Sequence, residues 1–249
     1  MIKVPWNQLQ SFTLGMCSAE SCVEYLRLTP NLLECTLSLA GTPPPDYQPP
    51  VQLPQLRSIT LRGDPSQCLL DKLQMPELRE ISICPWEYNN FIIAPKLTAF
   101  TTLFLTCSIR IFSYTSNDFP LDSDMIQLLQ ASPMLVGLHL RNCSSQCMTS
   151  SFLTQFASHQ GSGDSRASRL VPSLHTMTVD WSPSRFDILE FAEGIQSRMA
   201  FGVLRRVEIC HDPAENTAEF LCSAAPSRLR QLRDIGLDIR VRHRNRELI

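Results

Sequence analysis

The fold turns on Pro54-Gln55-Leu56-Arg57-Ser58-Ile59-Thr60-Leu61, because the phrase returns as Pro76-Glu77-Leu78-Arg79-Glu80-Ile81-Ser82-Ile83. Both copies place apolar residues at a starting position, at +3 and at +5, with proline two residues before the start. Looser copies run Pro30-Asn31-Leu32 to Cys35 and Leu37, Pro133-Met134-Leu135 to Leu138 and Leu140, Pro172-Ser173-Leu174 to Met177 and Val179, and Leu204 to Val207 and Ile209. Leu9, Phe12 and Leu14 open the series, and Leu232, Ile235 and Leu237 close it. Pro95-Lys96-Leu97 with Phe100 reads as a degenerate copy, with Thr102 in the third apolar place. The +3/+5 alternation is the period of a short strand with one buried face. Proline, with no N–H to donate, fits just before such a strand.

Between these phrases the apolar spacing becomes helical. Ser18 to Thr29 carries Cys22, Val23 and Leu26 on one stripe and stops before Pro30. Ser123 is placed to cap a helix through Met125, Ile126, Leu128 and Leu129, and Ser150 to Ser158 holds Phe152, Leu153 and Phe156. Ser184 is placed to cap a longer helix with Phe186, Ile188, Leu189, Ala192 and Ile195 inward and Glu190 and Glu193 outward. Ala214 to Ala225 offers Ala218, Leu221 and Cys222 before Pro226. The proline-rich stretch 42–54 and the Ser/Gly-rich stretch 158–168 read as loops. Strand, return helix, strand is the grammar of a solenoid. The anchors at 9, 32, 56, 78, 97, 135, 174, 204 and 232 are mostly 19 to 30 residues apart, the range of leucine-rich repeats. The two long steps, 97 to 135 and 135 to 174, require an insertion or an unseen copy. The expectation is an α/β leucine-rich-repeat horseshoe with a parallel sheet on its concave face and helices or irregular segments on its convex face. It forms one domain, 1–249, of about nine irregular repeats.

Composition narrows the function. The 249 residues are 43% hydrophobic and 18% charged, with 34 leucines, 18 prolines and 9 glycines. A net charge of −2, from 22 basic and 24 acidic residues, argues against a dedicated nucleic-acid binder or a polybasic membrane protein. The most apolar stretch, 99–112, is broken by Thr, Cys, Ser and Arg110, short of the ~18 residues a membrane helix needs. MIKVPWNQLQ lacks the apolar core of a secretory signal. Ten cysteines in a chain without such a signal read as free thiols, which places the protein inside the cell, in cytoplasm or nucleus.

The residues that could carry chemistry each have a structural explanation, so the chain is read as no enzyme, with no cofactor and no metal. Nucleophile-elbow, zinc-protease and phosphate-loop motifs are absent. Gly161-Ser162-Gly163-Asp164 lies in a small-residue loop. Cys17/Cys22 and Cys143/Cys147 have zinc-like spacing, but each pair straddles a strand-to-helix turn with no matching second pair nearby, which favours buried thiols. Cys210 and His211 are adjacent on a strand and point to opposite faces. Asp122-Ser123-Asp124 reads as an acidic helix start rather than a calcium loop. Seven arginines and two aspartates between Arg228 and Arg246 form the strongest charge run. They suit either an anion contact or a charged edge strand continuing Ile235, Leu237, Ile239 and Val241.

In a solenoid the residues between buried strand positions project onto one face. They are Ser11, Thr13, Gly15; Glu34, Thr36, Ser38; Ser58, Thr60, Arg62; Glu80, Ser82, Cys84; Gly137, His139, Arg141; Thr176, Thr178, Asp180; Arg206, Glu208, Cys210; and Asp234, Gly236, Asp238. Early copies carry small hydroxyls and later ones charge. A polar, mixed-sign face suits protein recognition. The expected contact set is Arg62, Glu80, His139, Arg141, Thr178, Asp180, Arg206 and Glu208, with Trp86 and Tyr88 as an aromatic anchor at the rim or a cover for the core edge. A solvated face with no ligand is the plainer alternative.

Two copies carry a family signature. Leu135-x-x-Leu138-x-Leu140-x-x-Cys143 fits the leucine-rich-repeat consensus, and Leu9-x-x-Phe12-x-Leu14-x-x-Cys17 fits with Phe for one Leu. Ala40, Asp64, Trp86, Ser182 and Asp212 depart from the consensus Asn or Cys. With its irregular repeat length and Pro-x-Leu starts, the chain from Pro5 to about Val241 resembles the leucine-rich region of fungal F-box-like proteins. That resemblance implies substrate capture for a cullin–RING ubiquitin ligase. No F-box-type opening precedes Pro5, so adaptor binding is expected only with such a segment upstream of Met1. The alternatives are an interaction scaffold without a ubiquitin link, or a fragment without independent function.

Overall fold

The Pro-x-Leu phrase folds as a turn that delivers the chain into a strand. A computed structural model describes residues 5–39, 49–63, 67–84, 97–115, 122–141, 148–157, 170–181, 187–200, 202–211, 224–243 and 246–247. The anchor N–H groups of Leu32, Leu56, Leu78, Leu135 and Leu174 each donate to the carbonyl three residues back, at 3.1–3.4 Å. Proline therefore occupies the second position of a β-turn, where its fixed φ is already correct. Before two of these prolines a buried hydroxyl ends the preceding helix. Thr29 donates to the carbonyls of Tyr25 and Leu26, and Ser132 to that of Leu128. Just past the anchor, one carbonyl accepts two amides of the next repeat. Gln10 serves Leu33 and Glu34, Leu33 serves Arg57 and Ser58, and His175 serves Arg205 and Arg206, all at 2.8–3.1 Å.

The chain divides into two units, Met1–Ser116 and Asn117–Ile249, and each is α/β with a parallel sheet. The first contains β1 (Ser11–Cys17), α1 (Ala19–Leu28), β2 (Glu34–Leu39), β3 (Val51–Gln52), β4 (Ser58–Gly63), α2 (Gln67–Leu70), β5 (Leu73–Gln74), β6 (Glu80–Cys84), α3 (Thr98–Thr106) and β7 (Ile111–Thr115). Its strands pair in the order β1-β2-β4-β6-β7, all parallel. Cys35, Leu37, Ile59, Leu61, Ile81, Ile83, Phe112 and Tyr114 point inward and are at most 4% exposed. Cys22, Val23 and Leu26 of α1 are buried as well. The helix begins where expected, with the Ser18 hydroxyl accepting the Ser21 N–H at 3.1 Å.

The second unit contains α4 (Asp122–Gln130), β8 (Gly137–Arg141), α5 (Ser150–Ala157), β9 (Thr176–Trp181), α6 (Ile188–Met199), β10 (Arg206–His211), α7 (Ala225–Asp234), β11 (Asp238–His243) and β12 (Arg246–Glu247). The first four strands pair in parallel in chain order, and β12 returns antiparallel on β11. Leu138, Leu140, Met177, Val179, Val207, Ile209, Ile239 and Val241 form the inward face.

Four expectations need correction. First, Leu97 and Phe100 do not begin a strand; Phe100 is inside α3 and both are buried. The strand of this repeat is β7, whose copy reads Ile109-x-x-Phe112-x-Tyr114, with all three residues buried. It supplies the unseen copy, and aromatic residues at +3 and +5 hid it. In the step from 135 to 174 no strand of the sheet intervenes, because β8 pairs with β9 directly. Second, the closing copy is out of frame. Leu232 belongs to α7, and Ile235 is 61% exposed. The Leu237 N–H reaches the Leu232 carbonyl at 3.2 Å and the Gly236 N–H the Arg233 carbonyl at 2.9 Å. These two bonds are a helix-terminating motif with Gly236 at φ +107°. The final strand face is consequently Asp238, Arg240 and Arg242, not Asp234, Gly236 and Asp238.

Third, helix starts differ. Ser123 lies within α4, and α6 is capped by Asp187, whose carboxylate accepts the Leu189 and Glu190 N–H groups at 2.7 and 3.4 Å. Leu189 is exposed rather than inward. Pro226 sits in the first turn of α7, where a missing N–H costs nothing. Fourth, the stretch read as a loop at 42–54 includes β3, which pairs Val51 with Leu73. Ser158 to Ser168, Ser184, Phe186 and, of the helix expected over Ala214 to Ala225, all but its last two residues fall outside the described residues.

One strained point in the second unit is braced by a single side chain. Val171 is buried at φ +44°, a region β-branched residues avoid. The Arg198 guanidinium donates to the carbonyls of Leu170 and Val171 at 2.6 and 2.7 Å and lies 4.7 Å from the Phe156 ring centre. Replacing it with alanine is expected to cost about 2 kcal/mol, from two charge-assisted bonds and a cation–π contact. A thermal melt of Arg198→Ala should show Tm lowered by roughly 4–8 °C. An unchanged Tm would mean the bonds are replaced by water at no cost.

Candidate functional site: a charged strand face

The polar face of the second unit follows from strand register. Gly137, Thr176, Arg206 and Asp238 share one rung, and His139, Thr178, Glu208 and Arg240 the next. Asp180, Cys210 and Arg242 share the third, and Arg141 follows Leu140 at the corresponding end of β8. Alternation does this by itself: inward Val207, Ile209, Ile239 and Val241 force their neighbours outward.

The charges are tied side to side. Asp238 accepts from Arg206 Nε at 2.6 Å with one carboxylate oxygen and from Arg240 Nε at 3.1 Å with the other. Arg242 Nη1 lies 2.9 Å from Glu208 Oε1. The Arg206 hydrogen bond, helped by Arg240, holds the Asp238 carboxyl below the usual carboxylate range, and Asp238 in turn raises Arg240. These groups remain half-exposed, so water screens the pairs and each is worth little for stability. Burial pushes the Cys210 thiol up to about 11, with Asp180 and Glu208 adding to the effect and Arg141 and Arg242 opposing it.

His139 and Thr178 behave differently from their expected role as contacts. His139 Nδ1 lies 2.9 Å from Thr178 Oγ1, and Thr178 is only 5% exposed. The pair braces β8 against β9, so the Thr178 hydroxyl is not presented to a partner; that expectation is corrected. Burial lowers the His139 pKa, Arg141 adds to this, and Glu208 opposes it. Its folded value thus lies below the unfolded 6.5, and between the two the unfolded chain binds more protons. Stability that is complete above the unfolded value is therefore lost as pH falls through the folded one. Melts at intervals from about pH 7 to 5 should show wild-type Tm falling more steeply than that of His139→Gln. Parallel curves would remove His139 from the account.

The expected contact residues divide between the units. Arg141, Asp180, Arg206 and Glu208 stand on the second unit's face, with His139 half-buried beside them. Arg62 and Glu80 belong to the first, at opposite ends of adjoining strands, since Ser58 pairs with Glu80 and Arg62 with Cys84. Between them one rung is all hydroxyl: Thr13, Thr36, Thr60, Ser82 and Ser113. Arg240 and Arg242 were missed through the frame error, although Ile239-x-Val241 signalled them. Trp86, Tyr88, Cys143, Cys147 and the Gly161–Asp164 motif lie outside the described residues.

Four further thiols among the described residues are held toward the protonated form. Burial raises Cys17, Cys22 and Cys107, and pushes Cys35 up to about 12. On the helix side of the second unit, Leu153, Thr154, Ala157, Glu190, Glu193 and Gly194 line an open groove, where Glu190 accepts from Ser150 at 2.8 Å. No helix among the described residues is long and apolar enough to cross a membrane. No protein-family model matches the chain, and no curated protein matches it.

Proposed function

We propose that the chain is a leucine-rich-repeat horseshoe that binds a protein partner on the charged strand face, without catalysis of its own. The observation that carries this reading is the ladder Arg206–Asp238–Arg240 with Glu208–Arg242, fixed on the paired strands β10 and β11. Charges already held in place lose little freedom on docking, and their alternating signs reject mismatched partners. Buried apolar anchors and repeated turns account for the rest of the architecture. In line with the resemblance to fungal F-box-like proteins, the role is substrate recognition for a ubiquitin ligase inside the cell.

The test is affinity capture of the full-length gene product with quantitative mass spectrometry. Wild type is compared with Arg206→Glu/Arg242→Glu and with the first-unit control Ser58→Ala. A partner lost by about tenfold or more in the reversal variant and kept in the control supports the site. An unchanged partner set removes it. Recovery of a cullin and its adaptor supports the ligase role, and a set lacking both leaves an interaction scaffold.

A further inference from the structure

The two ends of this architecture are finished differently. β11 is covered by β12, with Arg242 opposite Glu247 and His243 opposite Arg246. β1 has one partner among the described residues, β2. Its inward residues Phe12 and Leu14 are half-exposed, where their counterparts Cys35 and Leu37 are at most 4% exposed. The strand Ser11-Phe12-Thr13-Leu14-Gly15-Met16-Cys17 has no charge and no proline, the usual guards of an edge. Beside it Trp6 meets Phe12 edge-to-face at 6.1 Å and lies tilted against Tyr25 at 5.9 Å. Tyr25 and Leu28 of α1 are 38% and 49% exposed.

We propose that this edge joins a second copy of the chain, β1 against β1 in antiparallel pairing about a two-fold axis at Thr13. The Gln10 carbonyl faces β2, where it accepts the Leu33 and Glu34 amides. By strand alternation the N–H and C=O of Thr13 face the open edge. Two copies of Thr13 then exchange both backbone bonds across the axis. The same register sets Phe12 opposite the other Leu14 on the inward face, and Thr13 opposite Thr13 and Ser11 opposite the small Gly15 on the outward face, so the strand is complementary to itself. The bulge between Leu14 and Cys17 limits the ladder to its first half, and the apolar layer under it supplies the remaining area. α1 follows β1 and runs back along it, so the two helices lie antiparallel. The acidic Glu20 and Glu24 of each approach the Arg27 end of the other, which is the favourable arrangement for charges and helix dipoles alike.

Sedimentation equilibrium of the 249-residue chain, run with Thr13→Lys, Thr13→Glu and their equimolar mixture, tests this. Thr13 is exposed, so the variants should keep the wild-type Tm. The wild type is expected to dimerise. Each variant alone places like charges across the axis and should dissociate at about tenfold or more higher concentration. The mixture should recover the dimer as a heterodimer. A wild type that stays monomeric, a dimer indifferent to both variants, or a mixture that stays dissociated overturns the proposal.

Discussion

Gly63→Ala is expected to destabilise the first unit by about 3–5 kcal/mol, a very large effect for one methyl group. Gly63 ends β4 at φ +96°, where an L side chain is strained whatever the space around it. The space is also absent. Gly63 pairs with Leu39 of β2, and an added Cβ would overlap the Leu39 carbonyl oxygen. Because the obstacle is backbone within a ladder, it has no rotamer to move to. Relief would require breaking the β2–β4 register at its last rung. In solenoids each repeat rests on its neighbours, so the damage should spread to both. Hydrogen exchange is the sharper readout: amides of Leu37, Leu39 and Leu61 should lose protection before those of the second unit. Normal protection of those amides, together with a Tm within 2 °C of wild type, would show that the positive φ is not required.

Phe112→Ala is expected to cost about 4 kcal/mol, against less than about 1 kcal/mol for Ile111→Ala one residue away. Phe112 is fully buried, meets Phe104 edge-to-face at 5.4 Å and packs near Tyr114 at 6.5 Å. Ile111 is half-exposed on the opposite face. Loss of the ring leaves a cavity that neighbouring strands cannot close without leaving register. Denaturant titration of both variants measures the difference. Equal costs would mean that β7 does not present alternating faces and that its place as a repeat is wrong. Phe112→Leu should recover most of the loss, because the position asks for apolar volume more than for an aromatic ring.

What was legible in the sequence follows from how each repeat is specified. The turn and the +3/+5 alternation are local and chemically narrow. Hence Pro54-x-Leu56 and Pro76-x-Leu78 could be read directly, and the strand faces carrying Arg141, Asp180, Arg206 and Glu208 came with them. The Ile109 repeat escaped because the inward positions select for volume, and Phe112 and Tyr114 satisfy them as well as leucine does. The last repeat escaped for a different reason. Leu232, Ile235 and Leu237 have the right spacing, but Gly236 ends a helix between them, and periodicity alone does not register a left-handed residue. The lateral ties around Asp238 were illegible in principle. They depend on which strands adjoin, a fact held in register rather than in any one segment. Thr178 was misplaced because its outward position suggested exposure, whereas His139 covers it.

β8 and β9 lie side by side although their anchors are 39 residues apart, and β4 and β6 do so across 22. The longer step adds no rung to the ladder, since β8 and β9 pair directly. The architecture thus separates what must be kept in step from what is free to grow. Added residues can be taken up between one strand and the next turn, as on the margin of a page, without moving a line of the text. A family built this way can diverge in length and outward chemistry until overall likeness between its members is lost, while the pitch of its strands stays unchanged.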